Sequence, residues 1–116
     1  MQYLLLIYAS ESDEVKMNEA SLNALLGEYG EFTQSIIQAG HYKGGERLRP
    51  VSTASTVRVR GGKTVMTDGP FAETREQLGG FYLIEAKNLD EANAIAARVP
   101  SAKFGSVEVR PIWPMS

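Results

Sequence analysis

Cysteine is absent from this chain, and histidine and tryptophan occur once each, as His41 and Trp113. Without a thiol there is no thiolate nucleophile, no disulfide and no cysteine zinc site, and one imidazole among dispersed carboxylates does not make a recognisable metal-ligand set. A basic excess is also missing. Twelve Lys and Arg against fourteen Asp and Glu give a formal net charge of −2, so the positive footprint that attracts a phosphate backbone is lacking and direct nucleic-acid binding is not expected. The longest apolar run, Tyr3 to Ala9, is too short to span a bilayer, and no signal-like segment follows a basic start. A cytoplasmic protein with no membrane partner is expected. Gly44-Gly45 is not followed by the Gly-Lys-Ser/Thr of a phosphate loop, so no nucleotide and no other cofactor is expected. With no repeat, low-complexity tract or composition break, residues 1–116 read as a single domain, long enough for one core without staples.

What is present is a sequence of periodic segments. Leu4, Leu5, Leu6 and Ile7 occupy successive positions, and because side chains alternate across a strand, a strand over Gln2 to Tyr8 is apolar on both faces. Ser10 to Met17 reads as a polar connection. Asn18 caps a helix running to Ala39, with Leu22, Leu25, Leu26, Tyr29, Phe32, Ile36 and Ile37 as its apolar stripe and Gly40 as its stop. Gly27 and Gly30 within it suggest close approach to a sheet. His41 lies just past the helix end, exposed or bonded to the last carbonyls, and the following Gly-rich piece reads as a short bulged strand leading to a loop at Val51 to Ala54.

Thr56 to Thr67 alternates apolar and polar residues on both sides of Gly61-Gly62, the pattern of a tight hairpin with one solvated face that carries Arg58 and Arg60. Gly80 to Ala86 is a second strand apolar on both faces. Asn88 and Glu91 then open a short helix with Leu89, Ala92, Ile95, Ala96 and Val99 as its buried stripe, and Pro100 breaks it. Val107 to Ile112 alternates as a last strand, and Trp113 is expected to close the core or an interface. The order is that of a ferredoxin-like α+β domain with an additional β-hairpin. Two helices cover only one face of such a sheet, so the second face calls for another copy of the chain, a homodimer.

Between the hairpin and the second two-faced strand stands Asp68-Gly-Pro-Phe-Ala-Glu-Thr-Arg-Glu-Gln-Leu-Gly-Gly-Phe-Tyr-Leu-Ile-Glu-Ala. Gly69 admits a positive φ and Pro70 fixes its own, so the backbone beside Asp68 and Phe71 is stiff. This stretch closely resembles the signature of the DGPF-domain proteins, a branch of the YCII-related superfamily. The likeness extends to Tyr3-Leu-Leu-Leu-Ile-Tyr, Glu28-Tyr-Gly-Glu-Phe, Gly45-Glu-Arg-Leu, Thr56-Val-Arg-Val-Arg, Leu89-Asp-Glu-Ala and Ser106-Val-Glu-Val-Arg-Pro-Ile, nearly the whole chain. The resemblance implies a bacterial protein with a dimeric α+β barrel, and an association of some members with sigma-factor-like transcription proteins. It also implies a superfamily of small-molecule enzymes with a His and Asp pair in a cleft. The matching position for that histidine on the first helix is Tyr29.

Two readings of the site follow. In one, Asp68 acts as general acid or base on a small organic molecule with Tyr29 as proton donor or orienter, Tyr8, Glu46, Pro70, Phe71 and Glu73 line the substrate site, and shielding by Phe71 and Tyr8 favours protonation of the carboxylate. In the other there is no catalysis. Asp68 accepts backbone N–H bonds in an Asp-Gly-Pro turn, and the cleft is a small-ligand or regulatory module.

Overall fold

The computed structural model describes residues Met1 to Met115 and contains six strands and three α-helices: β1 (Gln2–Ala9), α1 (Glu11–Val15), α2 (Glu19–Gln38), β2 (Tyr42–Arg47), β3 (Ser55–Arg60), β4 (Lys63–Asp68), β5 (Gln77–Glu85), α3 (Leu89–Ala96) and β6 (Ser106–Pro111). Short 3-10 turns lie at Val51–Thr53 and Pro100–Lys103. Four strands form one antiparallel sheet in the order β2-β5-β1-β6, and β3 and β4 form a separate two-stranded ribbon. Apart from that ribbon and α1, this is the ferredoxin-like order of elements, an α+β fold as the sequence pattern predicts.

Alternation along β1 fixes which face is covered. Tyr3, Leu5 and Ile7 are buried against the helices, whereas Leu4, Leu6 and Tyr8 remain half-buried on the other side. On the helix side the cross-strand neighbours are Tyr82, Ile84, Val107 and Val109, and Phe32 and Ile36 of α2 with Ala92, Ile95 and Ala96 of α3 pack onto them. Leu5, Ile36, Ile84 and Val99 are fully buried, each contributing roughly 1.5–3 kcal/mol of transfer free energy. Phe32 and Tyr82 meet edge to face, ring centroids 5.3 Å apart, and the Tyr82 hydroxyl bonds the Thr33 hydroxyl at 2.7 Å.

The open side of the sheet carries Leu4 opposite Leu83 and Leu6 opposite Phe81, flanked by Glu46 on β2 and by Glu108 and Arg110 on β6. All four apolar side chains are half-buried only: neighbouring strands shield their flanks, while no helix among the described residues covers the face.

Both long helices start as expected and α2 stops as expected, whereas α3 ends at Ala96, three residues before Val99. Asn18 Oδ1 accepts from the Ser21 N–H at 2.7 Å and Asn88 Oδ1 from the Glu91 N–H at 2.9 Å. At the end of α2, the Gly40 N–H donates to Ile37 and the His41 N–H to Ile36, a Schellman motif. His41 Nδ1 then donates to the Glu85 carbonyl at 2.8 Å, bonding a strand and not the last helix carbonyls.

Several expectations need correction. The segment after β1 is not a plain connection: Ser10 Oγ caps the Asp13 N–H, and Glu11, Asp13 and Glu14 favour the positive end of a helix dipole, so one short helix forms without an apolar stripe. Gly27 and Gly30 are exposed with nothing within 4 Å of a Cβ placed there, so they do not serve close approach to the sheet. Leu26, Ile37 and Leu89 are exposed at the margins of their stripes. Trp113 is 84% exposed and closes no core within the protomer.

The hairpin differs most. Gly61 and Gly62 both have positive φ, as a tight primed turn requires, but both faces of the ribbon are solvated. Val57, Val59 and Met66 are 58%, 61% and 71% exposed, and every β4 residue is exposed. The ribbon therefore stands off the body, which explains a radius of gyration of 16.2 Å against roughly 13 Å for a compact chain of this length.

Candidate functional site

Asp68 is the last residue of β4, opposite Ser55. The backbone after it is anchored from β3: the Gly69 N–H donates to the Ala54 carbonyl at 2.7 Å, and Thr56 Oγ1 donates to the Gly69 carbonyl at 2.8 Å. Gly69 has φ +96°, a conformation that side chains beyond Cα disfavour, and Pro70 stiffens the next step. The turn is thus held by Thr56 and the backbone. Among the described residues the Asp68 carboxylate accepts no hydrogen bond and joins no ion pair, so the expected capping of its own turn does not occur, and an exposed carboxylate sits on a fixed main chain.

Beyond Pro70 the chain runs over the surface. Phe71 is 79% exposed, so it does not shield Asp68 as expected, and Glu73 is exposed beside it. The end of this loop is tied down by polar contacts. Gln77 Nε2 donates to the Thr74 carbonyl at 2.6 Å, and Gln77 Oε1 accepts from the Glu11 N–H at 2.9 Å. Glu11 Oε2 in turn accepts from the Val51 N–H at 3.0 Å, and Glu76 Oε1 accepts from Ser106 Oγ at 2.8 Å. The first helix, the 3-10 turn, the signature loop and the start of β6 are joined at one end of the sheet.

The remaining candidates fall on two sides of that sheet. Tyr8 lies on the open side, opposite Leu78 and Ser106, and Glu46 shares that side opposite Phe81. Tyr29 lies behind, in the helix layer, where its hydroxyl and that of Ser101 are 2.6 Å apart. Burial is the main reason that the Tyr29 phenol is pushed above its ordinary value of 10.0, outweighing the opposing effect of the Ser101 bond. No hydrogen bond links Tyr29 to Asp68 among the described residues. Tyr8 and Glu46 share a face, and Asp68, Pro70, Phe71 and Glu73 belong to the ribbon base and the loop that follows it.

A feature that periodicity does not reveal lies on the helix side. Glu28, Phe32, Ser35, Arg98 and Lys103 line an open groove of about 430 Å³ between α2 and the chain after α3. The Arg98 guanidinium lies 5.6 Å over the Phe32 ring and donates to Ser35 Oγ, while Lys103 pairs with Glu28 at 3.1 Å. Its residues are far apart in sequence, and only the helix packing brings them together. No three of His, Asp and Glu among the described residues are placed to share a metal ion, and no helix there is long and apolar enough to cross a membrane.

Comparison with known proteins agrees with the sequence resemblance. The family model of the YCII-related domain matches residues 1–116. An uncharacterized protein of Rhizobium meliloti (strain 1021) is 38% identical over 114 residues, covering 97% of this chain and 92% of the relative.

Proposed function

From the premise that this chain belongs to the YCII-related domain family, we propose that it works as a homodimer. Two open sheet faces come together as a dimeric α+β barrel, and the space between them receives a small organic molecule. The observation that carries this reading is the uncovered side of the sheet, where Leu4, Leu6, Phe81 and Leu83 form a continuous apolar strip. Leaving such a strip in water forfeits roughly 25 cal/mol for each Å² of apolar surface, whereas a second copy offers the same strip and covers both at once.

The ligand expected from this chemistry has an apolar or aromatic body for the leucines and Phe81. It also has a donor or acidic C–H group for a carboxylate, because Glu46 supplies an acceptor opposite Phe81 and Asp68 a second at the base of the ribbon. Among the described residues no hydrogen bond occupies the Asp68 carboxylate, which favours a second reading in which it takes a proton from the bound molecule, as a cofactor-independent acid–base enzyme requires.

Sedimentation equilibrium tests the dimer, and a stable monomer at micromolar concentration refutes it. Thermal-shift screening of small aromatic and carbonyl compounds, on the wild type and on Asp68→Asn, tests the ligand. A hit whose stabilisation falls in the variant supports the binding reading. A hit that is also converted to product by the wild type alone selects the enzyme, and the absence of any product selects the binder.

A further inference from the structure

The β3–β4 ribbon is the least explained part of the molecule. Isolated two-stranded hairpins are at best marginally stable in water, yet no helix or other strand among the described residues packs extensively on this one. It is also two-sided. Val57 pairs with Met66 and Val59 with Thr64 on one face, while Arg58, Arg60 and Lys63 share the other with Val65. None of these three cations has a carboxylate partner among the described residues.

We propose that the ribbon is an intersubunit arm. It crosses the dimer boundary, lays its Val57, Val59 and Met66 face along the partner's open apolar strip, and turns its cations outward, so that the space between the sheets is closed by the other subunit. The inference rests on the dimer reading above and adds to it the composite nature of the site. Asp68, Gly69 and Pro70 form the root of the arm, so they lie at the boundary and the site is incomplete in a single chain.

Three observations support a second copy as the occupant. The exposed apolar face of the ribbon matches in character the only long apolar strip left open on the sheet, among the described residues. The reach is also adequate: strands of six residues extend about 20 Å, against roughly 14 Å between the outer strand axes of a four-stranded sheet. Finally, charge is complementary. Of twelve Lys and Arg and fourteen Asp and Glu, the ribbon holds three of the former and one of the latter, so the rest of the chain keeps an excess of four acids. An arm of one sign and a body of the other steer two copies towards each other before contact.

Because the chain has no cysteine, a single Met66→Cys substitution accepts a benzophenone crosslinker at one place. Photolysis of mixed isotope-labelled and unlabelled chains is expected to give mixed-isotope crosslinks from position 66 to peptides containing Leu4 to Tyr8 or Phe81 to Leu83. In parallel, a variant with Thr56 to Thr67 replaced by Gly-Gly, and a full-length Val57→Ser/Val59→Ser/Met66→Ser variant, are compared with wild type by sedimentation equilibrium. Both are expected to weaken dimerisation by about a hundredfold or more, the order expected for uncovering several apolar side chains. The full-length variant replaces side chains that are exposed in the protomer, so it reports even if the shortened one does not fold. A wild-type dimer with unchanged affinity in the variants, or with crosslinks confined to single chains, overturns the arm and leaves the dimer standing. A monomeric wild type overturns both.

Discussion

Replacing Tyr29 by phenylalanine removes one oxygen and separates a structural from a chemical role for this side chain. The hydroxyl is 2.6 Å from Ser101 Oγ, and Ser101 is 6% exposed with no other side-chain hydrogen bond among the described residues. The variant loses a neutral hydrogen bond and leaves a buried hydroxyl with no partner, a cost of about 1–3 kcal/mol. Ser101→Ala should cost a similar amount, and the double variant less than the sum of the two, because the second change removes a group already unpaired. The assay is urea unfolding at fixed protein concentration, since a dimer makes stability depend on concentration.

The same comparison has a pH arm. The phenol is raised above 10.0 in the folded state, chiefly by burial. Between the unfolded and folded values the native chain therefore holds more protons than the unfolded one. The contribution is intact below pH 10 and is lost as pH rises through the folded value. Stability should fall on the alkaline side in wild type and fall less in Tyr29→Phe, with Tyr82 supplying a second such term because its phenol is raised by burial as well. Identical urea midpoints for wild type and Tyr29→Phe at pH 7, together with identical alkaline slopes, would refute the assignment of this hydroxyl to Ser101.

Gly105→Ala should be among the most damaging single changes, because an added Cβ would overlap the Tyr8 carbonyl oxygen, and backbone has to move at the join of β6 to β1. A loss of about 3 kcal/mol or more is expected by chemical denaturation, and a loss below 1 kcal/mol counts against the strand register there. Ile36→Ala, at a fully buried site under α2, should cost about 2–5 kcal/mol and leave the proposed dimer interface untouched, which sedimentation of the folded variant checks.

The elements that were legible in the sequence are those whose signals are local. Asn18 and Asn88 mark helix starts by a side-chain acceptor three residues ahead of the N–H that it meets, and Gly61-Gly62 marks a turn by the φ values that it permits. The two-faced pattern of Leu4 to Ile7 correctly indicates a central strand, bounded by β5 and β6 on its two sides. Leu26 and Ile37 belong to the apolar stripe of α2 yet stay exposed, because a stripe does not reveal how wide the opposing surface is. The candidate site was less legible. The signature stretch identifies Asp68, but whether Asp68 bonds its own turn depends on the Ala54 carbonyl ahead of the facing strand, which takes the Gly69 N–H, and whether Tyr29 meets it depends on which side of the sheet the helices occupy. Both are tertiary facts. The groove at Phe32, Ser35 and Arg98 has no sequence signal for the same reason.

The central position of β1 also governs how the chain can acquire its structure. Leu6 pairs with Phe81 on one side and Glu108 on the other, so the first strand synthesised waits for the last two. During that interval α2 and the ribbon can form from neighbouring residues, but the apolar β1 has no edge to join. Contacts of such long sequence separation slow folding, and unpaired strands invite association with other chains. Refolding should therefore be limited by the arrival of β6, and a nascent chain truncated before Ser106 is the form most in need of a chaperone.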